Sequence, residues 1–229
     1  MSFEKLLGAS LRGPVEALLF DLDGTLLASA PDLAIAIDRM LLELGCAEAG
    51  IERVSKWVGD GARQLVVEAL RYAQSSIEDE FVDKALQIYQ RHYAECLSHR
   101  SDLFPGVREA LRYWFAQGVR MACVTNKGAR FTEPLIDHFG LREWLPVVVS
   151  GDTLPQRKPD PAPLLEACRR LQVAPDRAIM VGDSRNDVRA ARAANMPVIC
   201  VRHGYNHGRP IEDETPDRIV DSFFDLTPG

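Results

Sequence analysis

The sequence has few cysteines and no closely spaced pair of them. Its five cysteines are scattered along the chain: Cys46, Cys96, Cys123, Cys168 and Cys200. This spacing offers neither a zinc knuckle nor a redox pair, and the odd number argues against a closed disulfide framework. Cys123 and Cys200 lie inside apolar runs, where we expect buried thiols that behave as small hydrophobic side chains.

Long hydrophobic runs and an excess of positive charge are also missing. No apolar stretch reaches the roughly 18 residues that a membrane helix needs, and the first 14 residues do not resemble a signal peptide. The net charge of −6 disfavours a nucleic-acid-binding protein, because phosphate backbones are bound by basic faces. These absences predict a cytoplasmic protein that binds neither membranes nor nucleic acid.

Short apolar runs alternate with helix-like segments along most of the chain, which predicts an α/β protein with a mostly parallel sheet. The runs are continuous, as in strands that are buried on both faces. The predicted strands are residues 15–20, 119–124, 147–149, 178–181 and 198–201. The predicted helices between them are residues 107–117, 129–139, 161–171 and 186–194.

Residues 28–102 break this alternation, because they contain no convincing strand. They predict helices at residues 32–44, 61–72 and 77–97. A helical insert of this length is too long for an ordinary connection. We therefore expect two domains: a core made of residues 1–27 and 103–229, and a smaller helical domain made of residues 28–102.

Two carboxylates directly follow the first predicted strand. Asp21 and Asp23 are two residues apart, and Gly24 comes next. Ligands of parallel sheets bind beyond the carboxyl ends of the strands, so both carboxylates can face one crevice. Asp21 can attack phosphorus and bind a cation, Asp23 can protonate the leaving oxygen, and Gly24 lets the backbone turn close to an anion. An acidic turn that caps the next helix is the structural alternative.

Further polar side chains follow the second strand and precede a later helix. Thr125 and Asn126 come directly after residues 119–124, where a hydroxyl and an amide can donate to phosphate oxygens. Lys158 lies in a loop before a predicted helix, where an ammonium group can neutralise phosphate and keep Asp21 ionised. Taken alone, the first pair also fits a helix N-cap, and the lysine also fits the protein surface.

An acidic pair follows the fourth predicted strand, within residues 182–187. Asp183 and Asp187 are four residues apart, so they project from the same side of a starting helix. Mg²⁺ prefers oxygen ligands from one or two carboxylates together with water and phosphate, and this pair suits it. Capping and compensation of the helix dipole are the alternative. No one of these features decides the function, but together they favour phosphoryl transfer.

In this order, the four motifs resemble those of the haloacid-dehalogenase-like hydrolase family. They occur as residues 21–25, Thr125, Lys158 and residues 182–187, and the similarity covers nearly the whole chain. The resemblance implies a doubly wound, Rossmann-like core that carries a mobile helical cap, which agrees with the insert described above.

The resemblance also implies a role for each motif residue. Asp21 would form an aspartyl-phosphate, and Asp23 would be the general acid and base. Thr125 and Lys158 would bind the phosphoryl group. The Mg²⁺ site would consist of Asp21, the backbone carbonyl of Asp23, Asp183, and Asp187 in a supporting position.

Other segments are similar to the branch of the family that hydrolyses 2-phosphoglycolate. These segments are residues 57–62, 103–107, 125–127 and 204–206. Ala28 and Thr153 depart from the usual pattern of that branch. The resemblance implies that the substrate is a small phosphomonoester, 2-phosphoglycolate, and that the products are glycolate and phosphate. We expect a monomer or a small homo-oligomer.

Arg63 is the predicted specificity residue. It follows a Gly59-Asp60-Gly61 turn, which lacks the preceding strand and the third glycine of a dinucleotide-binding loop. We expect this turn to reach the crevice, where Arg63 can pair with a substrate carboxylate. A solvated arginine on the surface of a helix is the alternative.

Other functions stay open on the sequence alone. The same residues serve a phosphatase for a sugar or amino-sugar phosphate, and a sugar-phosphate mutase that returns the phosphoryl group to its product. A dehalogenase is less favoured, because Asp23 and the pair Asp183 and Asp187 suit a metal-phosphate site. A binding module without catalysis is disfavoured by the intact carboxylates at the strand ends.

Overall fold

The computed structural model describes residues 14–227, and a parallel sheet forms its centre. The strand order is β3-β2-β1-β4-β5-β6, and each neighbouring pair is parallel. This order is that of a doubly wound fold, in which the direction of winding changes between β1 and β4. The strands are β1 (Ala17–Phe20), β2 (Arg120–Val124), β3 (Val147–Val149), β4 (Ala178–Gly182), β5 (Val198–Val201) and β6 (Arg218–Val220).

The helices fall close to their predicted positions. They are α1 (Ala30–Glu43), α2 (Ile51–Val54), α3 (Ala62–Tyr72), α4 (Asp79–Cys96), α5 (Val107–Ala116), α6 (Ala129–His138), α7 (Ala162–Leu171) and α8 (Arg185–Ala193). The single-turn helix α2 and the edge strand β6 were not predicted, because each is too short to show a periodic pattern. No helix within residues 14–227 is long and apolar enough to cross a membrane.

The sheet is covered by helices on both faces, which explains its continuous apolar runs. Successive strand side chains point to opposite faces. In β1, Leu18 and Phe20 pack with α5 and α6, whereas Ala17 and Leu19 pack with α7 and α8. Every residue of β1 is therefore buried.

Helices α1 to α4 bury a third hydrophobic cluster of their own. Its largest fully buried side chains include Tyr89 and Tyr93 of α4, whose rings stack with centroids 5.7 Å apart. Phe131 of α6 joins the cluster and lies 4.9 Å from the ring of Tyr93. The helical segment therefore rests on the carboxyl end of the sheet, above the β2–α6 connection.

The chain enters and leaves this helical segment through adjacent strands of backbone. The amide of Ala28 donates to the carbonyl of Asp102 at 2.8 Å, and Leu27 pairs with Leu103 in an isolated bridge. The buried carboxylate of Asp32 accepts from the backbone amides of Arg100 and Ser101, each at 2.8 Å, and from the Ser101 hydroxyl at 2.6 Å. The first turn of α1 is thus tied to the segment that follows α4. The predicted division into two domains stays a prediction.

Candidate active site

The carboxyl ends of three adjacent strands bring the predicted site residues together. Asp21 follows β1, Thr125 follows β2, and Asp183 follows β4. Because β1 lies between β2 and β4 in the sheet, these residues converge on one crevice. The amide of Asp21 donates to the carbonyl of Val181 at 3.0 Å, so the turn after β1 stays attached to the neighbouring strand.

Lys158 is buried at the centre of the crevice. Its ammonium donates to the carbonyl of Val124 and to Asp187 Oδ1, each at 2.7 Å. It also forms an ion pair with Asp21 Oδ1 at 2.9 Å. Burial disfavours the charged lysine, but attraction by Asp187 and Asp21 outweighs it and raises the pKa of Lys158 above its ordinary value. Lys158 therefore stays protonated and joins two carboxylates from different elements.

Asp187 has both carboxylate oxygens occupied by protein donors. Oδ2 accepts from the amides of Asp183 and Ser184, each at 3.1 Å, and from the Ser184 hydroxyl at 2.8 Å, which forms a capping box at the start of α8. Oδ1 faces Lys158. Asp187 therefore serves in both ways: Oδ2 caps the start of α8, and Oδ1 pairs with the lysine of the candidate site.

Asp183 is oriented by two donors. Its Oδ1 accepts from the Thr25 hydroxyl at 2.5 Å, and its Oδ2 accepts from the amide of Tyr205 at 2.6 Å. Gly24 (φ +89°) and Gly204 pass so close to this carboxylate that a side chain at either position would collide with it. Both glycines are therefore needed for space around Asp183, and the close approach of Gly24 to a substrate anion stays a prediction.

Three carboxylates compete for a single ammonium group in this crevice. Oxygens of Asp21, Asp183 and Asp187 lie within 4.8 Å of one another. Burial and the charge of Asp187 raise the pKa of Asp21 to about 6, against the opposing effect of Lys158. Burial, with the charges of Asp187 and Asp21, raises the pKa of Asp183 well above its ordinary value. The cluster therefore lacks positive charge.

This donor set fits a magnesium ion. Mg²⁺ binds carboxylate oxygens, and it needs only one or two of them beside water and phosphate. Asp21 Oδ1 is buried and its contact with Lys158 lacks hydrogen-bond geometry, so it keeps lone pairs available. A divalent cation among these carboxylates would supply the charge that Lys158 alone does not balance.

A cleft runs from Asp21 toward the helical segment. On the side of the sheet it is lined by Asp21, Asp23, Thr125, Asn126, Lys127, Gly128 and Phe131. On the side of the helical segment it is lined by Leu33, Val58, Gly59, Gly61, Ala62, Leu65, Tyr89 and Tyr93. The cavity volume is about 50 Å³, enough for a few water-sized groups. The cleft therefore suits a small molecule.

Asp23 lies in this cleft and is paired with a lysine. Lys127 Nζ donates to Asp23 Oδ1 at 2.9 Å and to Oδ2 at 2.8 Å. The same ammonium lies 4.9 Å from the centroid of the Tyr93 ring, a cation–π contact. The side chains of Asp23 and Lys127 are 13% and 6% exposed, so this ion pair is shielded from solvent.

The amide of Asn126 holds two loops together. Its Nδ2 donates to the carbonyls of Gly59 and Lys158, each at 2.9 Å. A direct contact of this amide with phosphate would require one of these bonds to break. Asn186 Nδ2 also donates to Gly59, at 3.2 Å, and to Asp60 Oδ1 at 2.7 Å. The glycine-rich turn therefore does reach the crevice, as expected.

Arg63 lies at the surface of the helical segment. Its guanidinium donates to Asp79 Oδ1 at 2.5 Å and also pairs with Asp83. The arginine side chain is 40% exposed, and it is not among the residues that line the cleft. Its pairing with a substrate carboxylate stays a prediction, and in this structure both of its partners belong to α4.

Three contributors to the site escaped the sequence reasoning. Lys127 enters the sequence analysis only as the last residue of the segment 125–127, although its position three residues after the end of β2 is a usable signal. Thr25 was noted only as the end of the first motif. Tyr93 lies in the predicted helix 77–97, and nothing in its spacing distinguishes a cleft tyrosine from a core tyrosine.

This chain belongs to the haloacid dehalogenase-like hydrolase family, whose model matches residues 18–201. It is 45% identical to the phosphoglycolate phosphatase of Nitrosococcus oceani over 212 residues, which covers 92% of this chain and 94% of that relative. It is 46% identical to the phosphoglycolate phosphatase of Pseudomonas putida, covering 99% of this chain and 83% of that relative.

Solved structures agree with this membership. A crystal structure of a predicted phosphoglycolate phosphatase from Haemophilus somnus 129PT has a TM-score of 0.88 and 34% identity, covering 93% of this chain and 96% of that chain. The crystal structure of CbbY from Rhodobacter sphaeroides in complex with phosphate has a TM-score of 0.79 and 26% identity, covering 93% of this chain and 96% of that chain. The doubly wound fold is therefore confirmed.

Proposed function

We propose that this protein is a Mg²⁺-dependent phosphatase that hydrolyses 2-phosphoglycolate to glycolate and phosphate. The observation that carries the proposal is the convergence of Asp21 and Asp183, at adjoining strand ends, with the buried loop residue Lys158, beside a small cleft. The substrate is supported by the curated relatives named phosphoglycolate phosphatase, which align over most of both chains.

In the first half of the reaction, Asp21 acts as the nucleophile. A carboxylate oxygen of Asp21 forms a bond to phosphorus while the bond from phosphorus to the glycolate oxygen breaks. Asp23 gives its proton to that leaving oxygen. Lys158 supports this step, because its fixed ammonium favours the ionised form of Asp21 and neutralises charge at the phosphoryl group.

In the second half, the aspartyl-phosphate on Asp21 is hydrolysed. Asp23, now ionised, removes a proton from a water molecule, and the water oxygen attacks phosphorus. The bond between phosphorus and Asp21 breaks, and phosphate leaves. The Thr125 hydroxyl lines the cleft beside Asp21 and is proposed to donate to a phosphoryl oxygen in both halves.

The proposed metal ligands are the carboxylates of Asp21 and Asp183 and the backbone carbonyl of Asp23. The ion would neutralise charge on the phosphoryl oxygens, which is what phosphoryl transfer mainly requires. Asp187 has both oxygens engaged by protein donors. We therefore assign it a supporting position, in which it holds Lys158 and the backbone of Asp183 in place.

We further propose that residues 28–102 act as a cap over the crevice. Val58, Gly59, Leu65 and the α4 tyrosines form one wall of the cleft, so this segment shields the reacting atoms from bulk water.

Five free cysteines, with four of them buried, are consistent with the reducing cytoplasm as the proposed compartment.

The proposal is tested by Mg²⁺-dependent phosphate release from a panel of small phosphorylated metabolites that includes 2-phosphoglycolate, sugar phosphates and an amino-sugar phosphate. The wild-type protein is compared with Asp21→Asn, which keeps the shape of the side chain and removes its charge. We expect a preference for 2-phosphoglycolate and a loss of activity in Asp21→Asn of at least about 10³-fold, the order expected when a covalent nucleophile is removed.

The matched control is Asp176→Asn, which changes the same side chain in an exposed turn far from the crevice. It should retain wild-type activity. If the protein prefers a different ester and Asp21→Asn still loses activity, the proposed mechanism stands and 2-phosphoglycolate is rejected as the substrate. Conversion of a sugar phosphate to its isomer without net phosphate release would indicate a mutase. Activity that persists in Asp21→Asn would reject the mechanism.

A further inference from the structure

The wall of the cleft opposite Asp21 is mostly apolar. Leu33, Val58 and Leu65 supply much of it. Hydrocarbon walls cannot bind a charged group, because they replace none of its hydrogen bonds to water. Recognition of a polar substrate end must therefore depend on the few polar atoms that this part of the cleft contains.

Tyr93 is one of the lining residues that carry a polar group, and its buried hydroxyl has no hydrogen-bond partner. Tyr93 is 1% exposed and lines the cleft. A buried hydroxyl without a partner is costly, and such groups in folded proteins usually have a reason. Burial raises the pKa of Tyr93 well above its ordinary value, so the phenol stays protonated and is ready to donate.

The ammonium of Lys127 is the second such group. Among the described cleft-lining residues it is the one with a positively charged side chain. An ammonium has three hydrogen atoms to donate, and the contacts with Asp23 take two of them. One donor therefore remains, on a charged group that lies 4.9 Å from the centroid of the Tyr93 ring.

We propose that Lys127 and the Tyr93 hydroxyl form the subsite that binds the substrate's carboxylate, at the end opposite the phosphate. The inference rests on the proposed function and adds the residues that decide specificity. A carboxylate has several lone pairs and can accept from both donors at once. The subsite then satisfies the Tyr93 hydroxyl, and the Lys127 ammonium neutralises the charge of the substrate's carboxylate.

The competing residue for this role is Arg63. Its guanidinium is already paired with Asp79 and Asp83 at the surface. To reach a substrate it would have to leave both carboxylates, whereas the Tyr93 hydroxyl has no hydrogen bond to break. Carboxylate binding by Tyr93 and Lys127 and carboxylate binding by Arg63 therefore predict opposite effects of substitutions at these residues.

The experiment compares 2-phosphoglycolate with ethyl phosphate, which has the same phosphate and two carbons but no carboxylate. The measured quantities are the KM for 2-phosphoglycolate and the ratio of kcat/KM for the two esters. A hydrogen bond to a charged group contributes enough for about a tenfold effect or more. Tyr93→Phe should raise the KM for 2-phosphoglycolate about tenfold and lower the ratio by a similar factor.

Lys127→Met should lower the ratio at least as much as Tyr93→Phe. It should also slow turnover of both esters, because Asp23 loses its partner, and the ratio separates these two effects. Tyr113→Phe is the matched control, since Tyr113 lies on α5 outside the cleft. It should leave both esters unaffected. Arg63→Ala should leave the ratio within about twofold of wild type, since we assign Arg63 no contact with the carboxylate.

Three results would overturn the subsite: a wild-type ratio near one, a ratio unchanged in Tyr93→Phe, or a ratio that falls in Arg63→Ala alone. Misfolding is excluded by thermal unfolding of Tyr93→Phe, which should be no less stable than wild type because the lost hydroxyl was unpaired. Failure of the proposed function looks different, since the wild-type protein would then release phosphate from neither ester.

Discussion

At the scale of single residues, the site depends on a buried lysine with two carboxylate neighbours. Lys158 has 2% of its side chain exposed, and Asp187 has none. A buried ion pair adds little net stability over an apolar pair, but the loss of one partner leaves a charge in a medium that solvates it poorly. Lys158 is therefore important for folding as well as for the proposed chemistry.

Lys158→Met is expected to lower the free energy of unfolding by about 3–5 kcal/mol, the usual cost of removing one partner of a buried pair. Asp21 and Asp187 would then repel each other without an intervening cation. The measurement is urea unfolding at neutral pH in the presence of EDTA, so that no divalent cation replaces the lysine.

The control for this substitution is Lys84→Met, at an exposed position of α4. Its free energy of unfolding should stay within about 0.5 kcal/mol of wild type. An unfolding midpoint of Lys158→Met equal to that of wild type would show that the ammonium is not needed to hold the two carboxylates.

At the scale of elements, the glycine-rich turn before α3 joins the helical segment to the sheet. The carbonyl of Gly59 accepts from the amides of Asn126 and Asn186, and the Asp60 carboxylate accepts from Asn186 and Arg185. Asn126 lies on the β2–α6 connection beside Thr125, and Arg185 and Asn186 begin α8 just after Asp183. The turn is therefore docked onto the same loops that carry the proposed chemistry.

Asn186→Ala removes two hydrogen bonds to this turn. At about 1 kcal/mol for each bond, the turn should open more often, and its backbone amides should exchange with deuterium roughly tenfold faster or more. Hydrogen–deuterium exchange of a peptide that covers residues 55–65 measures this, with α5 peptides as an internal reference.

Gln117→Ala is the matched amide deletion, because Gln117 is exposed and lies next to the amino end of β2, away from the crevice. Exchange in residues 55–65 should not change in this variant. Equal exchange in Asn186→Ala and wild type would mean that apolar packing, and not these bonds, holds the turn down.

At the scale of the whole molecule, the excess of negative charge in the crevice couples metal binding to stability. Any ligand that binds the native state and not the unfolded chain stabilises the protein by mass action. Asp21 is distant in sequence from the pair Asp183 and Asp187, and the three carboxylates meet only when the sheet is formed. Mg²⁺ should therefore bind the folded chain selectively.

Mg²⁺ is expected to raise the Tm by several degrees over protein in EDTA at equal ionic strength. A Mg²⁺ concentration 100 times the Kd increases the free energy of unfolding by about 2.7 kcal/mol. Each additional kcal/mol raises the Tm by about 2–4 °C for a chain of this size. Differential scanning calorimetry measures the shift without any substrate. Asp183→Asn should abolish it, while Asp213→Asn, in an exposed turn, should keep it. A shift that persists in Asp183→Asn would place the ion elsewhere.

The sequence by itself determined the fold class and which polar residues directly follow the strands. Continuous apolar runs such as residues 178–181 are typical of strands covered on both faces, and the structure confirms them. Asp21, Thr125 and Asp183 each follow such a run directly, and parallel strands bring their carboxyl ends to one edge. Local periodicity and adjacency in the chain were sufficient, because these features depend on residues that are neighbours in sequence.

Only the tertiary structure decided which distant side chains meet. The contacts of Lys127 with Asp23 and Tyr93 join residues that are 104 and 34 positions apart, and no spacing rule predicts them. The pairing of Arg63 with α4 and the unpartnered Tyr93 hydroxyl likewise depend on how α3 and α4 pack. Side-chain contacts between elements are set by packing of the whole core, so specificity became visible only in three dimensions.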